Sequence, residues 1–436
     1  MINLIILYLS FNICHYMDID KLPVEILLYI IKFLGFKSRL DLRLISRYFR
    51  DTIAYHETPM CKLEETSNQM IKCFPNVKFR TCDDIFHKIN DNILTDKIIK
   101  MEFIMNKLEY KSLPLFLEYL TFGNKFNQQI HPNTLPSFLQ HLEFGDRFNQ
   151  QIHPNTLPLS LRYLKFGNKF NQQIHPDTLP LSLRYLKFGN KFNQQIHPNT
   201  FPSSLTHLKF GFYFNQQIYP NILPLSLHKL IFGYLSQQIH PNTLPPSLHY
   251  LKFMSNFNQQ IYSNTFPASL THLKLGDDFN QQIYPNTLPP LLHHLEFRGN
   301  FNQQIHANTF PSSLHHLILG FYFNQQIQPN TLPPSLRRLI FGDKFNKKIK
   351  SNTLPSSLEY LEFGFFFNQK IDVLPSSLKC LTLVSTYQQK INSLLSVEYL
   401  IIIIEHQNHL CDWYKIIPQN FKLESVTFYE IIFKKR

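Results

Sequence analysis

Leucine and phenylalanine positions recur along this chain about every 22 residues, and the recurrence predicts the fold. The string Phe-Asn-Gln-Gln-Ile opens at Phe126, Phe148, Phe170, Phe192, Phe214, Phe257, Phe279, Phe301 and Phe323. Variants opening at Leu235, Phe345, Phe367 and Tyr387 fill the rest of the register. A second string, Leu-x-x-Leu-x-Phe, runs in step from Leu117 to Leu378 and makes thirteen units. Within a unit, as in Leu161-Arg162-Tyr163-Leu164-Lys165-Phe166, polar and apolar residues alternate. That period of two predicts a short strand with Leu164 and Phe166 inward. Strands recurring once per unit pair in parallel, about 4.8 Å apart. One unit cannot enclose a core alone, but stacked units seal each other's apolar columns. The expected fold is a repeat solenoid of leucine-rich-repeat-like parallel β coils, thirteen units of 22 residues over residues 113–395.

The path between strands holds two prolines in a typical unit, for example Pro154 and Pro158. Each would cost a helix interior about 3 kcal/mol, so turns and extended chain are expected instead. A second short strand is expected through Phe170–Ile174. The repeated Asn127, Asn149 and Asn171 are expected to form a polar ladder inside the Phe and Leu core. Such a ladder bonds the backbone of adjacent coils at about 1 kcal/mol per bond. Gln128 and Gln129 fit either the ladder or solvent.

A different pattern precedes the array. Ile26, Leu27, Ile30, Ile31 and Leu34 lie at helical spacing, and Gly35 ends that helix. A second apolar set follows at Leu40, Leu42, Leu44 and Ile45, then Tyr48 and Phe49. Residues 17–55 therefore read as a small helical module. Residues 56–112 are patterned irregularly and are expected to connect to the first coil and cap it. Residues 396–436 are expected to cap the last coil, with Ile401–Ile404 as a buried strand. Met1–Tyr16 is apolar but too short to span a bilayer, and it lacks a basic n-region and a cleavage site. It reads as an extension or as a segment upstream of a start at Met17.

The net charge of +13, with 20 histidines, favours acidic partners. Six cysteines without Cys-x-x-Cys spacing read as free thiols in a reducing compartment, so a cytoplasmic or nuclear protein is expected. The recurring His131, His153, His175 and His197 precede proline, and a turn accounts for them better than a metal column does. No phosphate loop, nucleophile elbow or exceptional carboxylate pair interrupts the repeats, so neither an enzyme nor a cofactor is expected.

The segment Leu22-Pro23-Val24-Glu25-Ile26-Leu27, followed by Leu42-Arg43-Leu44-Ile45-Ser46-Arg47-Tyr48-Phe49, resembles the F-box. Phe49 stands where that family usually has Trp. The resemblance implies docking on the linker subunit of an SCF-type cullin ubiquitin ligase. Leu22, Pro23, Ile26, Leu27, Ile30, Leu34, Leu42, Ile45 and Phe49 would form the docking surface. The array is similar to FNIP repeats, which are grouped with leucine-rich repeats. Asn171 follows Leu161 by ten residues, where a leucine-rich repeat has eight. The combination resembles proteins of giant amoebal viruses, in which the array presents a substrate.

The outward strand positions are the candidate substrate surface. They comprise Arg162, Tyr163, Arg184, Tyr185, His207, His228, His249, Tyr250, His294, His316, Arg337 and Arg338. Arg and Tyr are favoured hot-spot residues. An acidic target protein is the expected partner and a monomer the expected state. Nucleic acid is the alternative, disfavoured because Glu143, Glu296 and Glu362 interrupt the positive column.

Overall fold

The computed structural model describes residues 60–62, 78–81, 100–103, 113, 117–391, 396–404, 417–418, 420–427 and 430–435. The chain divides into two compact units, residues 1–167 and 168–436. In the first, six strands follow one another: β1 (Met60–Lys62), β2 (Lys78–Thr81), β3 (Lys100–Phe103), β4 (Tyr119–Phe122), β5 (His141–Glu143) and β6 (Tyr163–Lys165). Each pairs in parallel with the next, in a register that places Leu120 beside Leu142 and Leu142 beside Leu164. Strands β1–β3 fall in the stretch read from sequence as connector and cap, and they pair in the same way.

The second unit opens with β7 (Tyr185–Lys187), β8 (His207–Lys209), β9 (Lys229–Phe232), β10 (Tyr250–Phe253), β11 (His272–Leu275) and β12 (His294–Phe297). It continues with β13 (His316–Ile318), β14 (Arg338–Ile340), β15 (Tyr360–Glu362), β16 (Cys380–Val384) and β17 (Tyr399–Ile403). These eleven strands are parallel neighbours in chain order. An antiparallel hairpin of β18 (Phe421–Val426) and β19 (Glu430–Lys435) then covers the edge of β17. In β17 Leu400 and Ile402 are fully buried, but of the run expected as a buried strand Ile401, Ile403 and Ile404 are half-buried and the strand ends at Ile403, because alternate residues face out of the core.

The core is built from columns. Leu161 and Leu164 are fully buried and Phe166 nearly so, which agrees with the alternation. Two phenylalanine columns run beside the leucines. Within one coil the rings stack closely, with Phe188 to Phe192 at 3.8 Å and Phe210 to Phe214 at 3.9 Å. Between coils they stay parallel, with Phe192 to Phe214 at 6.1 Å. Burial of each such ring contributes about 1.5–3 kcal/mol.

Among the described residues the return path contains no helix, in line with its prolines. The strand expected through Phe170–Ile174 does not form either. Side-chain amides take the bonds that a strand ladder would have used. The backbone N–H of Asn215 donates to Asn193 Oδ1 at 2.9 Å, and Gln216 Nε2 donates to the same oxygen at 3.1 Å. Gln217 Nε2 reaches the Gln238 carbonyl at 2.8 Å. The glutamines are therefore ladder members. The asparagine ladder lies at the half-exposed rim, not inside the aromatic core as expected. There each Oδ1 meets a backbone N–H without being stripped wholly of water.

The His-Pro-Asn-Thr string forms a turn in which the Thr156 N–H donates to the His153 carbonyl at 3.2 Å. Proline at the second position and a left-handed third residue define a type II turn. Asn155 and Asn199 adopt φ near 62° and Asn352 60°. Asparagine tolerates that region better than other non-glycine residues. The threonine that ends the turn is buried in most coils, as at Thr156, Thr200 and Thr265. Thr265 Oγ1 accepts from the Tyr262 N–H at 3.0 Å, whereas Thr200 Oγ1 has no partner. Replacing Thr200 with Val is therefore expected to stabilise the fold by about 1 kcal/mol, because an orphan hydroxyl leaves the core. Thr265→Val is expected to cost a similar amount, and urea midpoints of the two variants moving in the same direction would contradict this.

Candidate functional site

In β4–β15 the residues flanking the buried leucine of the strand point outward. The first outward column is exposed at Arg162, Arg184, His228, His249, His293 and Arg337. The second column is half-buried at Tyr163, Tyr185, His207, Tyr250, His294 and Arg338, and exposed at His316. Within each unit its members are neighbours one rung apart, so their rings lie in contact. His141 and Tyr163 stack at 3.9 Å in the first unit. In the second, Tyr250 stacks on His272 at 6.1 Å and His272 on His294 at 5.6 Å, and His316 lies tilted against His294 at 5.8 Å. The Arg338 guanidinium lies 3.9 Å from the Tyr360 ring centre, and Lys229 Nζ lies 4.8 Å from the Tyr250 ring. Contacts of that kind hold a cation in place while leaving its charge available.

Of the substrate-surface residues expected from the sequence, Tyr163, Tyr185, His207, Tyr250, His294, His316 and Arg338 lie on strands, and Arg162, Arg184, His228, His249 and Arg337 immediately precede them. Arg162 and Tyr163 belong to the first unit; the other ten belong to the second. The expected linker-docking residues, Leu22, Pro23, Ile26, Leu27, Ile30, Leu34, Leu42, Ile45 and Phe49, lie outside the described residues.

A third column carries the strongest charges. In the second unit, register aligns Lys187, Lys209, Ile231, Lys252, Lys274 and Glu296 one after another. Burial lowers the pKa of Lys209, and the neighbouring Lys187, Lys252 and Lys229 lower it further. The column ends in an ion pair, Lys274 Nζ to Glu296 Oε2 at 2.6 Å. In the first unit, Lys165 Nζ donates to Glu143 Oε2 at 2.6 Å and His141 Nε2 to Glu143 Oε1 at 3.0 Å. The His141 bond does most to hold the Glu143 carboxyl down at about 2, with Lys165 adding to it against the effect of burial.

The Glu296 carboxyl is also held at about 2. His294 acts on it first, although its Nε2 stands 3.8 Å from Glu296 Oε2, too far for a hydrogen bond. Burial opposes the shift, and Lys274 and Arg298 reinforce it. A carboxyl depressed in the folded state stabilises above its ordinary pKa of 4.5 and loses that contribution as pH falls toward about 2. Glu296→Gln should therefore lower the urea midpoint at neutral pH, and the gap to the wild type should close between 4.5 and about 2. A gap that persists at the acid end would contradict this assignment.

Two features were missed in the sequence. Ser204, Ser226, Ser269 and Ser313 each donate a hydroxyl proton to a leucine carbonyl of the preceding coil, at 2.7–2.9 Å. Their signal was the recurrent serine before the first leucine of each strand. Aromatics also replace the usual Asn-Lys pair after some strands, as in Phe321-Tyr322 and Phe365-Phe366, of which Phe321, Tyr322 and Phe366 are exposed. Lys344 Nζ lies 3.9 Å from the Phe366 ring centre. The turn residues His131, His153, His175 and His197 are exposed. Among the described residues no group of three or more His, Cys, Asp or Glu side chains is placed to hold a metal.

Parallel coils of this length, with leucine columns inside and a varied polar face outside, define a leucine-rich-repeat-like repeat protein. The FNIP Repeat model matches seven overlapping or adjoining segments that together cover residues 103–366, more than half of the chain. The chain belongs to the FNIP repeat family. The F-box domain model matches residues 19–58. Among solved structures, the chain is similar to CroV588, described as a novel circular LRR protein, at 42% identity and a TM-score of 0.68. That alignment covers 78% of this chain, and the chain spans 58% of the length of CroV588. No curated protein matches the chain.

Proposed function

We propose that the protein is a substrate-recognition adaptor of an SCF-type cullin ubiquitin ligase. The F-box would dock the linker subunit through Leu22, Pro23, Ile26, Leu27, Ile30, Leu34, Leu42, Ile45 and Phe49, and the repeats would capture a target protein. The observation that carries this reading is the joining of an F-box match to a FNIP array in one chain. F-box domains bind linker subunits and repeat arrays bind proteins, and the combination is typical of scaffolds rather than enzymes. The strand faces supply the physical means of capture. Rigid rings and stacked guanidinium groups lose little freedom on binding, and the lysine column favours an acidic target. No helix among the described residues is long and apolar enough to cross a membrane.

The test is affinity purification of the full chain from host cells, beside a Leu22→Asp/Ile26→Asp variant. Linker and cullin subunits should accompany the wild type and be absent from the variant. Their absence from both preparations would reduce the protein to a scaffold without ligase linkage.

A further inference from the structure

The histidines of the second unit are concentrated. His272 on β11, His294 on β12 and His316 on β13, with His293 and His315 just before the last two strands, line one depression of about 270 Å³. Their rings are in contact, His272 stacked on His294 at 5.6 Å, His316 tilted against His294 at 5.8 Å, and His293 edge-on to His315 at 5.3 Å. His294 Nε2 is shielded from water and makes no hydrogen bond.

The charges around the depression are mostly positive. Beside it stand His249 and Lys252 from the β10 side, Lys274 on β11, Arg298 after β12, and Arg337 and Arg338 at β14. The nearby acids are Glu296, Asp277 and Glu359. Glu296 already pairs with Lys274 at 2.6 Å and Arg298 at 3.5 Å. Glu359 pairs with Lys379 at 3.4 Å and Arg337 at 3.9 Å. Protons added to these imidazoles therefore meet few unclaimed carboxylates. Burial holds His272 and His316 below the ordinary imidazole range, and the facing histidines and arginines push in the same direction. An anion entering the depression would reverse that balance, and by linkage the occupied site would take up protons.

We propose that this depression receives carboxylate side chains from a short acidic segment of the target protein, and that it binds them with proton uptake. An extended segment places alternate side chains about 6.8 Å apart, so one carboxylate can enter among the histidines while the next reaches Arg337 or Arg338. The proposal rests on the reading that the strand face captures a protein, but not on the F-box.

The test uses the full chain, EDTA throughout, and a fluorescein-labelled octaglutamate peptide. Affinity should rise about ten-fold between about pH 7.5 and about pH 6.0, where imidazoles gain charge and glutamates keep theirs. Calorimetry in buffers of different ionisation heat should show net proton uptake. The variant His272→Gln/His293→Gln/His316→Gln should lose the pH dependence, and His131→Gln/His153→Gln/His197→Gln should keep it. Circular dichroism confirms that both variants are folded.

Affinity that is flat with pH, or pH dependence retained without the three sheet histidines, would overturn the proposal. So would a single-stranded oligonucleotide that outcompetes the peptide at about pH 6.0 with the same histidine dependence. No ligase subunit takes part. Failure here therefore leaves the adaptor reading intact, and failure to purify a linker subunit leaves this result intact.

Discussion

Replacing Phe214 with alanine is expected to lower the free energy of unfolding by about 3–5 kcal/mol. Phe214 is fully buried. Its ring stacks at 3.9 Å on Phe210 of its own coil and at 6.1 Å on Phe192 of the coil before. Truncation opens a void that the neighbours cannot fill, because in-register strand bonds on both sides fix the spacing between coils. The next coil gives an internal control, since Leu235 stands there in place of the phenylalanine and is buried. Phe214→Leu is therefore expected to cost much less, about 1.5 kcal/mol or under. In a stack where each coil touches only its neighbours, the alanine variant should also unfold with a smaller urea dependence, as the segments on either side separate. A change below about 1 kcal/mol for Phe214→Ala would mean that the column does not hold the coils together.

The fold was legible because every coil buries the same columns. A chain that must present leucine and phenylalanine to its neighbours at each turn repeats them, and the alternation around Leu164 then sets which side chains face out. The return path was less legible. Asn and Gln carry no period that distinguishes a strand from a row of side-chain ladders, and the bonds from Asn215 to Asn193 and from Gln217 to Gln238 depend on neighbouring coils. The serine ladder escaped for a similar reason, since a serine two residues after a proline reads as an ordinary turn residue. On the strand face, the outward columns can be read from the repeat, but the depression in which they meet cannot. His293 and His315 become neighbours of His272, His294 and His316 only once parallel register is known.

The second large effect is expected at a glycine. Gly211→Ala should cost about 3 kcal/mol, at the upper end for overpacking. The glycine is not needed for its backbone conformation, because none of the described glycines has positive φ. Space is what it supplies. A Cβ on Gly211 would fall on the carbonyl of Gly189 in the preceding coil, with Asn190 Cα 3.0 Å away. Both obstacles are backbone, so no side chain can swing aside. Met254, Arg298 and Val384 occupy this register position in other coils, each one coil after a glycine (Gly233, Gly276 and Gly364), so the chain there is routed around the side chain. Gly320 follows one such coil, and a Cβ there would come no closer than 2.8 Å to the Arg298 carbonyl oxygen. Gly320→Ala should therefore be the milder change. The comparison separates crowding from the general effect of removing glycine, which would be equal at the two positions and slightly stabilising through the unfolded state. Equal urea midpoints for the two variants would show that close backbone approach does not set the spacing of these coils.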